Sequence, residues 1–320
     1  MSACVHLIAW VLPCVALAAQ CTQVSRTCIE RVSLGENAHF LVYRSQPLTQ
    51  PSPKIVRIVV LVHGVLRDGD AYFRTAIHAA QEAGEMDRTL VIAPQFHAND
   101  GKCKDKLQRG EIAFACEGWS DGVGMRRAPF SSFAAMDALV RKVASRQLFP
   151  ALKEVVIAGH SAGGQLVQRY AAVNRVDGVL TVPIRYVVAN PSSYLYLESW
   201  RPVENAGAEC PQFNRYKYGL DALTSYPEET GAVAIRDQYP GRHVTYLLGE
   251  LDTTDEHHMD TTCAAMVQGP NRRQRGLSYF ERLNQTFHTE HKMFTIRGCG
   301  HSADCMFGSE SGLHAIFGAK

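Results

Sequence analysis

The first 25 residues contain no lysine, arginine, aspartate or glutamate; Arg26 is the first formally charged side chain. No two cysteines stand in a C-x-x-C pair, and no H-E-x-x-H occurs. The usual sequence signs of a zinc site are therefore missing. Charge of one sign is not in excess either: 33 Lys and Arg against 31 Asp and Glu leave a formal net charge of +2. That balance gives no electrostatic footprint for nucleic acid, which is excluded as a partner. There is no internal repeat and no low-complexity tract. What remains is a 320-residue chain, 46% hydrophobic and 20% charged. This is enough to bury one large core, as a single domain or one domain with a cap.

The uncharged start is itself informative. Val5 to Leu12 and, past Pro13, Val15 to Ala19 form an apolar run of the length of a signal-peptide core. Ala16-Leu17-Ala18 fits an A-x-A cleavage site. The run departs from the usual signal in having no Lys or Arg before it, and a retained anchor is the alternative, although the span is short and contains a proline. The expectation is a signal peptide over 1–19, a single domain over 20–320, no stable membrane insertion after cleavage, and an extracellular or periplasmic location. Eight cysteines would remain: Cys21, Cys28, Cys103, Cys116, Cys210, Cys263, Cys299 and Cys305. An even number in an exported chain suggests disulfides. Proximity favours Cys21–Cys28, Cys103–Cys116 and Cys299–Cys305, leaving Cys210–Cys263. No feature of the sequence specifies an oligomeric state.

Residues 28–44 read as an opening hairpin turning at Gly35-Glu36-Asn37. Ile55 to Val62 is a nearly continuous β-branched run, as in a strand buried on both faces. A helix is expected near Asp70 to Glu82, a strand over Leu90 to Ala93 stopped by Pro94, and a helix over Ser131 to Arg146. Further strands fall at Val155–Ala158, Ile184–Ala189, Val244–Leu248 and Met293–Ile296. Helices fall at Gln165–Val173, Arg273–Phe287 and Gly312–Phe317. Two strands followed by alternating β and α predict an α/β fold, a mostly parallel sheet with helices on both faces. Two long stretches break the alternation. Residues 97–130 carry Trp119, and a cap-like excursion at about 192–240 carries Tyr194 and Trp200 among other aromatics. Both are expected over the carboxyl ends of the strands, with Trp119, Tyr194 and Trp200 as candidate substrate contacts.

Gly159-His160-Ser161-Ala162-Gly163 fits G-x-S-x-G between a strand-like and a helix-like run. A serine on so sharp a turn is strained and projects its hydroxyl above the sheet, with the next N–H beside it. Ser161 is the candidate nucleophile. Its base should follow the last strand, where Arg297-Gly298-Cys299-Gly300-His301 places His301. The acid should follow the strand before, where Asp252 stands, with Glu250, Asp255 and Asp260 as competitors. Leu61-Val62-His63-Gly64-Val65 follows the first central strand, so Val65 N–H, or Gly64 N–H, is expected to join Ala162 N–H as an oxyanion hole; His63 would hold that loop by hydrogen bonding.

Ser161, Asp252 and His301 in this order, with His63-Gly64 after an early strand, resemble the α/β-hydrolase superfamily over about residues 28–317. The resemblance implies the fold and the three roles. It does not imply a substrate, because the superfamily hosts many chemistries. The expected function is a secreted serine hydrolase that needs no cofactor or metal and acts on a small-molecule or polymer ester. Amide or peptide hydrolysis and acyl transfer use the same residues. A non-catalytic binding protein of the same fold is the alternative of another kind. Dehalogenase and epoxide hydrolase chemistry is disfavoured, since those place a carboxylate at the turn. Asp255-Glu256-His257-His258-Met259-Asp260 reads as a polar loop rather than a metal site. Asn284-Gln285-Thr286 is a glycosylation sequon only for a eukaryotic host.

Overall fold

A computed structural model describes residues 20–124, 130–256 and 258–318. The signal-peptide expectation at 1–19 lies outside them. Eight strands form one sheet: β1 (Ile29–Gly35), β2 (Ala38–Arg44), β3 (Arg57–Val62), β4 (Thr89–Gln95), β5 (Glu154–His160), β6 (Ile184–Ala189), β7 (His243–Gly249) and β8 (Lys292–Ile296). Their order is β1-β2-β4-β3-β5-β6-β7-β8. The β1–β2 hairpin is antiparallel, β2 meets β4 antiparallel, and every later pairing is parallel.

The helices are α1 (Gly69–Glu82), α2 (Ser132–Val143), α3 (Ala162–Val173), α4 (Ala206–Glu209), α5 (Tyr226–Thr230), α6 (Ala232–Gln238), α7 (Cys263–Met266), α8 (Arg272–Phe287), α9 (Ala303–Gly308) and α10 (Glu310–Phe317). The period-2 alternation of strand side chains divides the core into two layers. Ile58, Val60, Ile157, Tyr186 and Tyr246 face one side, with α2, α3 and α8 laid over them. Val59, Leu61, Val156, Val187 and Leu247 face the other, under α1, α9 and α10. Both faces are covered, which is why β3 and β5 carry almost no polar residue. Among the described residues no helix is long and apolar enough to cross a membrane.

Three expectations change. Pro94 does not stop its strand: β4 runs to Gln95, with Pro94 opposite Val42. The parallel pairing with β3 ends at Ile92, so Pro94 lies where β4 has a single neighbour and its missing N–H is tolerated. The helix expected over Ser131–Arg146 is shorter, Ser132–Val143, with the Ser131 hydroxyl accepting from Ala134 N–H as its cap. The excursion at 192–240 divides: Ser192, Lys217 and Tyr218 lie at the strand ends beside Ala162, and the rest turns away. Its α5 and α6 pack on α3, with Ile235 and Tyr239 in the core.

Four cysteine pairs stand in disulfide geometry: Cys21–Cys28, Cys103–Cys116, Cys210–Cys263 and Cys299–Cys305, with Cα separations of 5.8, 5.7, 5.7 and 5.8 Å. Three are the pairs proximity favours, and Cys210–Cys263 is the pair these leave over. Cys210–Cys263 closes the widest loop, 53 residues apart in sequence, against 6 for Cys299–Cys305.

The turn from β5 into α3 is a close backbone approach. A Cβ at Gly163 would lie 2.4 Å from the Val62 carbonyl oxygen, and one at Gly159 would lie 2.3 Å from that of Gly163. Only glycine lets α3 start against the end of β3. Gly163→Ala is therefore expected to lower the unfolding free energy by roughly 1–3 kcal/mol, the range for forced overpacking, when read by urea denaturation. On loop-closure entropy, replacing both Cys210 and Cys263 by serine should cost up to about 4 kcal/mol in the same assay, and replacing Cys299 and Cys305 about 2 kcal/mol. Equal losses from the two pairs would contradict the loop-length account.

Candidate active site

The carboxyl ends of β3, β5, β7 and β8 deliver the site. Ser161 follows β5 directly, at φ +59° and ψ −121°. A non-glycine residue in such a conformation costs about 1–3 kcal/mol and persists only when its surroundings fix it. Here they do. Ser161 N–H donates to the Ala189 carbonyl at 3.0 Å, and the Ser161 carbonyl accepts from Gln165 N–H at 3.0 Å. The hydroxyl is thereby pushed above the sheet.

His301 arrives on the loop after β8 and Asp252 on the loop after β7. His301 Nε2 lies 2.9 Å from Ser161 Oγ, and His301 Nδ1 lies 2.8 Å from Asp252 Oδ2. The ion-pair side chains of Asp252 and His301 are 1% and 7% exposed, so water competes little for either bond. The chain Asp252–His301–Ser161 can pass a proton from the hydroxyl to the imidazole and hold the resulting cation against a carboxylate. The competing carboxylates go elsewhere. Glu250 accepts from Gly298 N–H, Asp255 is exposed, and Asp260 faces Tyr218, Thr262 and Lys217.

His63 is fully buried, and burial pushes its pKa down to about 4. Phe96 N–H donates to His63 Nε2 at 3.1 Å, so the ring proton sits on Nδ1 and is donated to the Gly64 carbonyl at 2.9 Å. In a trans peptide the carbonyl and the next N–H point oppositely. Holding the Gly64 carbonyl toward His63 turns Val65 N–H away from that ring. The expectation that His63 holds the loop by hydrogen bonding fits this geometry. Ala162 opens α3, and a first-turn N–H has no acceptor within its helix.

Two cavities flank Ser161 and share Val65, Leu66 and His258. The first, about 560 Å³, is lined by Ser161, His301, His160, Tyr72, Asp68 and Asp304 among others. The second, about 530 Å³, is lined by Ala162, Trp119, Gln165, Ser192, Lys217 and Tyr218 among others. Lys217 Nζ stands 3.5 Å from Asp121 and 3.7 Å from Asp260. Burial opposes its charge, but Asp121 and Asp260 more than offset this and hold its pKa above the ordinary lysine value.

The aromatic candidates divide. Trp119 lines the second cavity, though it is 2% exposed and packs on His63 at 4.7 Å. Tyr194 is fully buried and stacks on Tyr279 at 4.6 Å, which makes it core rather than substrate surface. Trp200 borders a separate cavity with Arg201 and Phe213, under the Arg282 guanidinium, away from Ser161. The aromatics of the excursion pack largely on neighbouring elements, Tyr194 and Tyr196 on Tyr279 of α8, Tyr226 on Phe133 of α2 and Tyr239 on His291, so their rings tie the excursion to the body of the fold.

Three contributors carry no signal in the sequence. Tyr72 hydroxyl lies 3.0 Å from His160 Nδ1, 88 residues away, and the His160 ring lies 4.5 Å from that of His301. His258 reaches both cavities from a loop whose composition reads only as polar. Arg272, from the start of α8, places Nη1 3.4 Å from Asp252 Oδ1. Each pairing joins elements that only the folded sheet brings together.

Comparison with known proteins agrees with this architecture. No curated protein matches the chain. A poly(3-hydroxybutyrate) depolymerase from Bordetella parapertussis is similar in structure, with a TM-score of 0.61 at 20% identity over 90% of this chain and 87% of that one. So is poly(aspartic acid) hydrolase-1 from Sphingomonas sp. KT-1, with 0.61 at 22% identity over 90% and 97%. At such identities the likeness is one of fold. A model of the alpha/beta hydrolase family matches residues 59–312, from β3 past the loop that bears His301. With that span and this sheet, the chain belongs to the alpha/beta hydrolase family.

Proposed function

We propose that this protein is a secreted serine hydrolase that cleaves carboxylic esters through an acyl-enzyme on Ser161. The single observation that carries the reading is the buried chain from Asp252 Oδ2 through His301 to Ser161 Oγ, at 2.8 and 2.9 Å, ending on a strained turn that opens into two cavities.

His301 Nε2 takes the Ser161 hydroxyl proton as Oγ attacks the ester carbon, and Asp252 stabilises the imidazolium. The carbonyl oxygen becomes an oxyanion held by Val65 N–H and Ala162 N–H. The tetrahedral species collapses, the C–O bond to the alcohol breaks, and the alcohol departs with the proton from His301. Water then gives a proton to His301 and attacks the acyl carbon. Collapse of the second oxyanion releases the acid and returns the proton to Ser161 Oγ. No cofactor enters this sequence.

The general acid must reach the leaving oxygen, so the alcohol belongs in the cavity that His301 lines. The acyl group belongs in the other, beside Ala162 and Trp119. Space on both sides of the serine suits an ester extended in both directions, such as one bond within an oligomer. The two similar structures are named for polymer substrates, a polyester and a polyamide, which supports the extended shape and leaves the bond type to the test below. Four disulfides favour an oxidising compartment and hence secretion.

Activated esters and matched anilides should separate esterase from amidase, with the esters cleaved faster. Ser161→Ala should lower kcat/KM at least 1,000-fold and abolish labelling by a fluorophosphonate. Asp252→Asn should cost on the order of 100- to 10,000-fold in kcat with the fold intact. Undiminished ester hydrolysis by Ser161→Ala would falsify the assignment.

A further inference from the structure

A second cation stands behind the acid. The ion-pair side chains of Arg272 and Asp252 are 0% and 1% exposed, and Arg272 Nη1 lies 3.4 Å from Asp252 Oδ1, the oxygen not committed to His301. The same nitrogen donates to the Glu256 carbonyl at 3.0 Å, and Arg273 N–H donates to the Asp252 carbonyl at 3.2 Å. The start of α8 thus holds the acid-bearing loop by both its backbone and its charge. A capped helix start supports this: the Asn271 side chain accepts from Gln274 N–H at 2.9 Å.

We infer that Arg272 is a positioning residue that lowers the pH at which the serine site switches on, by weakening the hold of Asp252 on a protonated His301. This inference rests on the serine-hydrolase reading above. The physical argument is one of shared charge. A lone buried carboxylate strongly favours the imidazolium and would keep the base protonated into neutral pH. A guanidinium on its other oxygen neutralises part of that field, in a place where screening by water is small. Arginine suits the role because it remains cationic across the whole working range. Burial does pull the Arg272 pKa down from its ordinary 12.5, while Asp252 pulls it up.

The other charged or titratable groups about the pair come from each neighbouring element. The His160 ring lies 4.5 Å from the His301 ring and is bonded to the Tyr72 hydroxyl. Asp68, Asp304 and His258 border the cavity that His301 lines. The Tyr194 phenol feels Asp252 from the core side, and Arg275 adds positive charge next to Arg272 on α8. The Arg272 guanidinium contacts the Asp252 carboxylate directly, so its removal is the cleanest perturbation.

The test is the pH dependence of single-turnover labelling of Ser161 by a fluorophosphonate, and of kcat/KM for a neutral ester. Arg272→Gln and Arg272→Met drop the charge; Arg272→Lys keeps it. The acidic limb of the neutral variants should move up by about half a pH unit or more, which is about threefold slower labelling on that limb at fixed pH. The lysine variant should keep the wild-type limb. Equal slowing in all three variants at every pH, with the limb unmoved, would leave Arg272 a mere prop and overturn the inference. Should neither neutral variant fold, the wild-type limb decides: a midpoint below about 6.5, the ordinary histidine value, is expected, and one above it overturns the inference. Absence of any Ser161 labelling in the wild type would instead sink the serine reading itself.

Discussion

Everything in the site hangs on one backbone constraint, the positive φ of Ser161. The residue is held there by the Ala189 carbonyl at the end of β6 and by Gln165 one turn into α3. Those two bonds need β5 and β6 in register, with His160 opposite Ala189, and need β3 ending level with β5, with Val62 opposite Gly159. The same levelling brings His63 and Gly64 beside the serine. Strain at one residue is thus supported by three strands and a helix, and the loops after β7 and β8 have only to present one side chain each.

The fold was legible because its core strands are apolar on both faces and its turn residues are constrained. Gly159 and Gly163 could be read from the sequence since nothing larger fits there. His301 and Asp252 could be placed because the chain order of strands limits which loops can reach the serine. Pro94 was misread for a reason that lies outside its own neighbourhood: whether a missing N–H matters depends on how many partners the strand has at that point. The same holds for Tyr194 and Trp200. An aromatic in an irregular stretch looks the same in sequence whether it meets a ligand or the back of α8. Tyr194 meets Tyr279, and Trp200 meets Arg282.

The pieces that sequence could not supply are long-range pairings of ordinary residues. Arg272 is one of two adjacent arginines at a helix start, and nothing distinguishes it from Arg273 until the sheet puts Asp252 within reach. The short helices α5 and α6 stand either side of Gly231 and bury few residues of their own, so no periodicity betrays them. They become visible only as a cover for α3.

Ser161 and His301 are 140 residues apart, and Asp252 and His301 are 49 apart. The strands that carry them pair in parallel, so each contact closes a long loop before it gains any stabilising energy. A chain in which β7 and β8 have not docked has the strained turn at Ser161 without Asp252 and His301 beside it. The arrangement of Ser161, His301 and Asp252 is therefore complete only when the whole sheet is. For a hydrolase, that dependence ties the site to the completed sheet.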